Sequence, residues 1–289
     1  MSRSTCNPPR LVVLAHTRAQ DLGDEHPLAM LVLGGACLLT RLFDALPFTC
    51  AATDAVVVCR EDDAPPIAQL VRGRALVVTI ASDAGRLTAL RTGLRALPQD
   101  HRPVLLHAVE RALAPSELIS SVLTAGAHTS DTGDTPYDAV VPVLDVTDSV
   151  KATGGPICVE GATGTAPSHR FSPSQQTAET LRGSDRTVQL VNVDRAGLAV
   201  PQGPRLLSAQ AAERIANRSA DDTDGLRGES FDEIREILRT GGRVVRVPGS
   251  YRAFAVRDQL TLWQAQISLG LARDTSGRPG LLRRLRPHG

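Results

Sequence analysis

Only one side chain in this sequence carries a primary amine. Lys151 is the only lysine in 289 residues, and the other 31 basic residues are arginines. A lysine amine can act as a base or nucleophile when its surroundings lower its pKa, whereas a guanidinium stays protonated and binds carboxylates and phosphates through its planar fork. Chemistry that needs an amine side chain therefore has to use Lys151.

The five cysteines do not form a pattern that binds metal or builds a disulfide framework. Zinc-binding cysteines usually come in closely spaced pairs, and no Cys-x-x-Cys pair occurs here. Their number is odd, whereas disulfide frameworks use pairs. The spacing of serines, histidines and acidic residues likewise defines no Ser-His-Asp or Cys-His arrangement. We therefore expect neither a zinc site nor a disulfide framework from Cys6, Cys37, Cys50, Cys59 and Cys158.

Alternating strands and helices are predicted for the first half of the chain. Hydrophobic residues make up 42% of the sequence but aromatic residues only 3%, so the core is built from Ala, Val and Leu. Such a core suits helices packed on a buried parallel sheet, which right-handed crossovers would wind. Apolar runs predict strands at 11–15, 54–59, 74–79, 103–107 and 139–143, and helical spacing predicts helices at 36–46, 65–71, 85–97 and 115–125.

The second half contains a segment that interrupts this pattern. Residues 152–186 are rich in Gly, Ser, Thr and Pro and hold little apolar material, so we expect a flexible arm or insertion. We interpret 1–151 and 187–273 as one domain and 274–289 as a basic tail. Within the second part of the domain, strands are predicted at 187–193 and 243–247 and helices at 204–217, 231–239 and 258–272.

The carboxyl ends of the predicted strands are the expected place for a ligand. In open parallel sheets, ligands bind in the crevice beyond those ends. The loops that follow Ala15, Thr79, His107 and Val143 are therefore the candidate site loops.

Five segments share their order and outline with one enzyme family. Residues 27–35 (Pro-Leu-Ala-Met-Leu-Val-Leu-Gly-Gly), 107–113 (His-Ala-Val-Glu-Arg-Ala-Leu) and 143–151 (Val-Leu-Asp-Val-Thr-Asp-Ser-Val-Lys) come first. Residues 193–203 (Val-Asp-Arg-Ala-Gly-Leu-Ala-Val-Pro-Gln-Gly) and 247–256 (Val-Pro-Gly-Ser-Tyr-Arg-Ala-Phe-Ala-Val) follow. On these segments, which span nearly the whole chain, the sequence resembles the 2-C-methyl-D-erythritol 4-phosphate cytidylyltransferase family.

This resemblance implies a fold, an activity and an assembly. The implied fold class is α/β, a Rossmann-like nucleotide-diphospho-sugar transferase three-layer α/β/α sandwich with a mostly parallel sheet and an extended arm. Active members of the family join CTP to a sugar-alcohol phosphate, with magnesium bound, and release pyrophosphate. The family's arm clasps a second subunit, which implies a homodimer.

The resemblance also locates departures from the family's catalytic pattern. The glycine-rich loop whose backbone amides hold the triphosphate aligns with residues 14–23, where two glycines and an arginine are replaced. A lysine, a metal-site aspartate, an asparagine and a second lysine are replaced by apolar residues further along. Losing one transition-state donor typically costs ~10²–10³ in rate, although such losses do not simply add. The replaced positions are Thr17, Ala19, Asp21, Leu28, Ala108, Ala253 and Ala255.

Several polar residues still match the family. Asp148, Ser149, Lys151, Arg195 and Arg111 match its sugar-phosphate side, so the resemblance implies that an anion-binding cleft for substrate is retained.

Two further arginines are candidates for the nucleotide side of the cleft. Arg86 also matches the family, and Arg18 lies in the altered loop. A guanidinium at either position could replace part of the positive charge lost from that loop. We therefore name Arg18 and Arg86 as the residues that would bind the nucleotide.

Three hypotheses for function follow. The main one is a non-catalytic or very weakly active homologue that retains an anion or sugar-phosphate cleft, with no cofactor and a small anionic ligand. The first alternative is an active cytidylyltransferase of isoprenoid biosynthesis that uses substitute residues such as Arg18 and Arg86, with CTP and magnesium. The second alternative is an interaction scaffold.

Charge and hydropathy bear on partners and location. The chain has 32 basic and 31 acidic residues, a net charge of +1, so there is no global reason to expect binding to nucleic acid or membranes. No apolar run approaches the ~20 residues of a membrane span, and residues 1–10 do not resemble a signal peptide. We expect a cytoplasmic location.

Overall fold

The computed structural model of this protein describes residues 8–18, 27–47, 54–131, 137–156, 179–183, 186–218 and 231–270. Two compact units divide the chain, Met1–Leu144 with Pro201–Gly289 as the first and Asp145–Val200 as the second. The strands and helices, in chain order, are β1 Arg10–Leu14, β2 Val32–Leu33, β3 Ala36–Cys37, α1 Leu38–Asp44, β4 Ala55–Arg60, α2 Ala64–Leu70, β5 Leu76–Ile80, α3 Arg86–Ala96, β6 Val104–Ala108, α4 Ser116–Asp131, β7 Ala139–Asp145, β8 Val150–Pro156, β9 Glu179–Gly183, β10 Arg186–Val193, β11 Ala199–Pro201, β12 Arg205–Leu207, α5 Ala209–Asn217, α6 Glu233–Arg239, β13 Val244–Pro248 and α7 Gln259–Ser268.

A mostly parallel sheet forms the centre of the first unit. Its strands lie in the order β13, β7, β12, β6, β1, β4 and β5. All neighbours in this series are parallel except β12, which runs antiparallel to both β6 and β7. The predicted strands of the first half are confirmed to within two residues. Their continuous runs of Val, Leu and Ala suit strands that are buried on both faces, as β1 and β4 are, whereas β5 at the edge of the sheet is partly exposed.

Helices cover both faces of this sheet, which makes a three-layer α/β/α sandwich and confirms the predicted fold class. Successive side chains of a strand point to opposite faces. On β1, Leu11 and Val13 therefore pack with α1, α2 and α4, whereas Val12 and Leu14 pack with α3, α5 and α6. Each fully buried Leu or Val contributes roughly 1.5–3 kcal/mol of transfer free energy.

The second unit contains a three-stranded antiparallel sheet in the order β8, β10, β9. Residues 152–156 and 179–183, which we expected to be part of a flexible arm, belong to strands β8 and β9. Both strands pair with β10, which supplies their backbone hydrogen bonds. They therefore form although they contain few apolar residues, which was the reason for predicting a flexible arm. The rest of the expected arm, 157–178, and the basic tail 274–289 lie outside the described residues.

Two predicted boundaries in the first unit differ from the structure. The helix expected at 204–217 begins only at Ala209, because Arg205–Leu207 joins the sheet as β12. Ser208 caps the helix by accepting a hydrogen bond from the backbone N–H of Ala211. The helix expected at 115–125 continues to Asp131. None of the helices in the described residues is long and apolar enough to cross a membrane.

Candidate active site

The carboxyl ends of β1, β4, β5 and β6 lie along one edge of the sheet, as expected for parallel strands. Because β12 runs in the opposite direction, its first residue, Arg205, pairs with Leu106 near the end of β6 and adds its side chain to this edge. The loop after β13 also contributes, since the backbone N–H of Val256 donates to the carbonyl of Glu110 at 2.7 Å. We refer to this region as the strand-end edge.

Three further arginines lie close enough to Arg111 at the strand-end edge for their charges to affect it. Burial lowers the pKa of Arg111, and the nearby charges of Arg257, Arg205 and Arg86 lower it further, while Glu110 opposes them. Nη1 of Arg111 donates to the carbonyl of Ala253 at 2.6 Å. We call Arg86, Arg111, Arg205 and Arg257 the arginine cluster. Guanidiniums gathered in this way suit the binding of a phosphate or carboxylate.

Glu110 is the acidic residue next to Arg111 in this cluster. Its carboxylate accepts a hydrogen bond from Nη2 of Arg257 at 2.7 Å, and the hydroxyl of Thr17 lies 3.5 Å away. Burial would raise the pKa of Glu110, but Arg257, Arg86 and Arg111 outweigh it and hold that pKa below its ordinary value. Glu110 is therefore ionised at neutral pH and ties the loop after β13 to the end of β6.

Arg86, one of the two predicted nucleotide-binding residues, is paired with a buried carboxylate. Its Nε and Nη2 donate to Glu233 at distances of 2.9 to 3.2 Å, and Glu233 is fully buried. Arg205 donates to the same carboxylate at 2.7 Å and to Asp232 at 2.9 Å. Burial would raise the pKa of Glu233, yet Arg205 and Arg86 keep it low. The guanidinium of Arg86, with a side chain 24% exposed, thus has its Nε and Nη2 donors occupied by Glu233.

Arg18, the other predicted nucleotide-binding residue, follows β1. Its Nη2 lies 3.1 Å from a carboxylate oxygen of Asp63 and 3.7 Å from one of Asp62. Arg18 thus pairs with carboxylates that follow β4. Residues 19–26, which include the altered positions Ala19 and Asp21, lie outside the described residues.

His16 lies between the end of β1 and the arginine cluster. Burial lowers its pKa to about 4, and Arg86 and Arg60 add to this effect while Glu110 opposes it. Within the described part of the chain, Nδ1 of His16 is buried without a hydrogen-bond partner. The imidazole is therefore neutral at pH 7 and adds a polar but uncharged group to a cationic site.

Five of the seven replaced positions, Thr17, Leu28, Ala108, Ala253 and Ala255, lie within the described residues. Leu28 is fully buried in the core beneath β1 and α1, and Ala253 is fully buried against Ala114 and Leu118. Ala108 ends β6 at the strand-end edge. Positions where the resemblance implies lysine, asparagine and aspartate thus carry apolar side chains, and two of these are part of the hydrophobic interior.

The predicted sugar-phosphate residues fall in both units. Arg111 belongs to the first unit, whereas Asp148, Ser149, Lys151 and Arg195 belong to the second. Within the second unit, the ammonium of Lys151 donates to the side-chain carbonyl of Asn192 on the neighbouring strand, and Arg195 donates to the carbonyl of Thr147. Asp148, Ser149 and Lys151 are exposed.

Several residues of this site were not predicted from the sequence. Glu110 lies inside the segment 107–113 that carries the resemblance, and its position just after a predicted strand was an available signal. Arg257 and Glu233 offered no such signal, because each contacts a residue 147 positions away in the chain.

Comparisons with known proteins show which family this chain is similar to. Residues 10–167 match the family model described as 2-C-methyl-D-erythritol 4-phosphate cytidylyltransferase. A protein of that name from Rhodococcus jostii (strain RHA1) is 34% identical over 195 residues, which cover 65% of this chain and 79% of the relative. Another of that name from Streptomyces avermitilis is 28% identical over 272 residues, covering 92% of this chain and 93% of the relative.

Solved structures with the same fold carry related names. The 4-diphosphocytidyl-2C-methyl-D-erythritol synthase from Anaerococcus prevotii DSM 20548 superimposes with a TM-score of 0.62 at 16% identity, covering 93% of this chain and all of the other. The 2-C-methyl-D-erythritol 4-phosphate cytidylyltransferase from Thermus thermophilus gives a TM-score of 0.55 at 21% identity, covering 92% of this chain and all of the other. At these identities the likeness establishes the fold.

Proposed function

The chain belongs to the 2-C-methyl-D-erythritol 4-phosphate cytidylyltransferase family, and from that membership we propose that it transfers the cytidylyl group of CTP to a sugar-alcohol phosphate. In this reaction a phosphate oxygen of the acceptor attacks the α-phosphorus of CTP. A new phosphoanhydride bond forms, the bond between the α-phosphorus and its bridging oxygen to the β-phosphate breaks, and pyrophosphate leaves. The acceptor implied by the family is 2-C-methyl-D-erythritol 4-phosphate.

The arginine cluster is the observation that carries this proposal. Two polyanions must meet before transfer, and negative charge must be stabilised on the phosphoryl oxygens as it shifts to the leaving group. Arg111 donates to a carbonyl and has no direct carboxylate partner among the described residues, so its charge remains available for a phosphate. Partial burial strengthens that interaction, since a low local dielectric weakens screening.

Neutral His16 has a separate part in this proposal. With a pKa of about 4, it carries no charge at pH 7, and its buried Nδ1 can accept or donate one hydrogen bond according to tautomer. It would therefore orient a hydroxyl or phosphate group beside Arg86 without adding charge.

The described residues do not fit a magnesium site made of protein ligands. No three His, Cys, Asp or Glu side chains within the described ranges are arranged to hold a metal ion. Ala108 stands where the resemblance implies the metal-site aspartate, and the carboxylate of Glu110 is held by Arg257. We therefore derive no step through magnesium and assign charge neutralisation to the arginines.

A second candidate function, anion binding without transfer, is supported by a specific observation. Leu28 and Ala253 are fully buried where the family pattern has a lysine and an asparagine, so two polar groups are lost from the cleft. The guanidinium of Arg86 is also partly neutralised by Glu233. This arrangement would still bind a phosphate but would stabilise the transition state poorly.

Product analysis separates these functions. The protein is incubated with CTP, magnesium and 2-C-methyl-D-erythritol 4-phosphate, and pyrophosphate release is followed together with the phosphorus NMR spectrum. Pyrophosphate release that requires both substrates, with two new coupled phosphoanhydride signals, supports transfer. Binding of either substrate by calorimetry without product supports the second candidate. Neither binding nor product at millimolar substrate would contradict both and leave an interaction scaffold.

A further inference from the structure

Three hydrogen bonds join residues 253–257, in the loop after β13, to Glu110 and Arg111 in the turn after β6 of the same unit. Arg111 donates to the carbonyl of Ala253 at 2.6 Å. The backbone N–H of Val256 donates to the carbonyl of Glu110 at 2.7 Å. Nη2 of Arg257 donates to the carboxylate of Glu110 at 2.7 Å. Side chains on this loop are therefore fixed relative to Arg111.

Arg257 keeps most of its hydrogen-bonding capacity in this arrangement. Its side chain is 60% exposed, whereas that of Glu110 is only 13% exposed. A guanidinium has five N–H donors, and within the described residues the contact with Glu110 is the one that the side chain makes. The remaining donors belong to this mostly exposed side chain, whose charge is close enough to Arg111 to affect its pKa, as are the charges of Arg205 and Arg86.

We propose that Arg257 is an anion-binding residue of this site and that Glu110 is the positioning residue that holds it. This inference rests on the proposed function and adds the residue that contacts the polyphosphate of the nucleoside triphosphate. Arg257 lies two positions after Ala255, the position at which the resemblance implies a lysine. A guanidinium already held in its binding geometry loses less conformational entropy when the anion arrives, so its contribution to affinity is larger.

The effect of removing the charge of Glu110 has opposite signs under the two roles that it could have. A carboxylate that merely lies near a bound phosphate repels it, so its neutralisation should strengthen binding. A carboxylate that positions Arg257 improves anion binding despite this repulsion. Neutralising that carboxylate should therefore weaken anion binding. Glu110→Gln therefore distinguishes positioning from proximity without a change in side-chain size.

The test measures the affinity for CTP and for inorganic pyrophosphate by calorimetry, at one fixed ionic strength. We compare the wild type with Arg257→Ala, Arg257→Lys, Glu110→Gln and the double variant. A matched control is the pair Arg239 and Glu236 on α6, at 3.0 Å with 53% and 15% side-chain exposure, changed to Arg239→Ala and Glu236→Gln. Thermal unfolding of each variant identifies any that fail to fold. If Arg257→Ala fails to fold, Arg257→Lys still tests the guanidinium, because it keeps the positive charge.

We expect Arg257→Ala to weaken both anions ~10-fold and Arg257→Lys to restore part of the loss. Glu110→Gln should weaken them ~3- to 10-fold, and the double variant should resemble Arg257→Ala alone, because a positioning residue has no effect without the residue that it positions. The control variants should bind like the wild type.

Two results would overturn this inference: tighter or unchanged anion binding in Glu110→Gln, or equal affinities in Arg257→Ala and Arg239→Ala. Wild-type protein that binds neither anion would overturn it as well. Because binding is measured without turnover, the outcome is independent of transfer. A protein that binds anions as expected but makes no product would refute the proposed transfer and leave the role of Arg257 intact.

Discussion

At the scale of single residues, the site depends on charges that are balanced inside the protein. Glu233 is fully buried and faces both Arg86 and Arg205. Such a triad adds little net stability over an apolar substitute, but removal of one partner leaves uncompensated charge in a low dielectric. The ion pairs of the strand-end edge therefore determine how the arginines are oriented more than how stable the fold is.

Glu233→Gln is expected to destabilise the protein strongly. It leaves the guanidiniums of Arg86 and Arg205 without their shared carboxylate, and loss of one member of a buried pair typically costs ~3–5 kcal/mol. Urea unfolding followed through the single tryptophan, Trp263, measures the free energy of unfolding. Glu236→Gln, which removes a carboxylate that pairs with Arg239 and Arg218 and is 15% exposed, should cost less, because Glu233 is fully buried. Equal losses in the two variants would contradict the role given to Glu233.

Two histidines with low pKa values make stability depend on pH. Burial lowers the pKa of His107 to about 4, as it does for His16, from an ordinary 6.5. Between these values the unfolded chain binds protons that the folded chain does not, so stability is full above pH 6.5 and falls as the pH drops toward 4.

We expect the free energy of unfolding to fall as the pH is lowered from 7 to 5, and His107→Phe to reduce that fall substantially. The aromatic substitute keeps the approximate volume of the side chain and removes the titrating group. The comparison uses the same urea titration at both pH values. A variant whose pH dependence equals that of the wild type would show that His107 is not protonated on unfolding in the way its burial implies.

At the scale of elements, close packing of α3 on the sheet fixes the position of Arg86 at the start of that helix. A Cβ atom on Gly93 would lie 2.8 Å from methyl carbons of Val12 and Val58. No real Cβ tolerates that distance, so the helix lies on β1 and β4 only because Gly93 has no side chain. The glycine is retained although alanine would be the better helix former by ~1 kcal/mol.

Gly93→Ala should therefore destabilise the protein by ~1–3 kcal/mol through overpacking, in spite of its better helix propensity. Gly197→Ala is the matched control, because nothing lies within 4 Å of a Cβ built there. Differential scanning calorimetry of the two variants measures the change in melting temperature. A Gly93→Ala protein as stable as the wild type would mean that α3 does not pack as closely as described.

The elements also show what the sequence could and could not predict. The strands of the first half follow from continuous apolar runs, since burial on both faces requires them. β12 was missed because its three residues, Arg205–Leu207, directly precede the helical pattern of α5. β8 and β9 were missed because they are held by pairing with β10. The position of the strand-end edge was predicted from the sequence. The contacts of Arg86 with Glu233 and of Arg257 with Glu110 were not, because each joins residues 147 positions apart in the chain.

At the scale of the whole molecule, the sheet of the second unit has two edge strands that could take part in assembly. Within the described residues, β8 and β9 each pair with β10 alone. Unpaired strand edges are places where a second chain can add. The homodimer through the arm that the resemblance implies stays a prediction, and the edges of β8 and β9 are an alternative place for the contact.

A dimer is the expected result of sedimentation equilibrium at micromolar protein concentration. A variant in which residues 157–178 are replaced by a short Gly-Ser linker should sediment as a monomer if the arm provides the contact. A wild-type protein that is monomeric at every concentration would refute this assembly. A dimer that survives the replacement would place the contact outside residues 157–178, for example at the edges of β8 and β9.

Arg111→Gln tests the central claim, that the arginine cluster neutralises the phosphates during cytidylyl transfer. The measurement is kcat/KM for pyrophosphate release from CTP and 2-C-methyl-D-erythritol 4-phosphate, compared with Arg246→Gln, which removes an exposed arginine on β13. We predict a loss of ~10²-fold for Arg111→Gln, the cost of one transition-state donor, and a rate within about twofold of the wild type for Arg246→Gln. Equal rates in the two variants would contradict the claim.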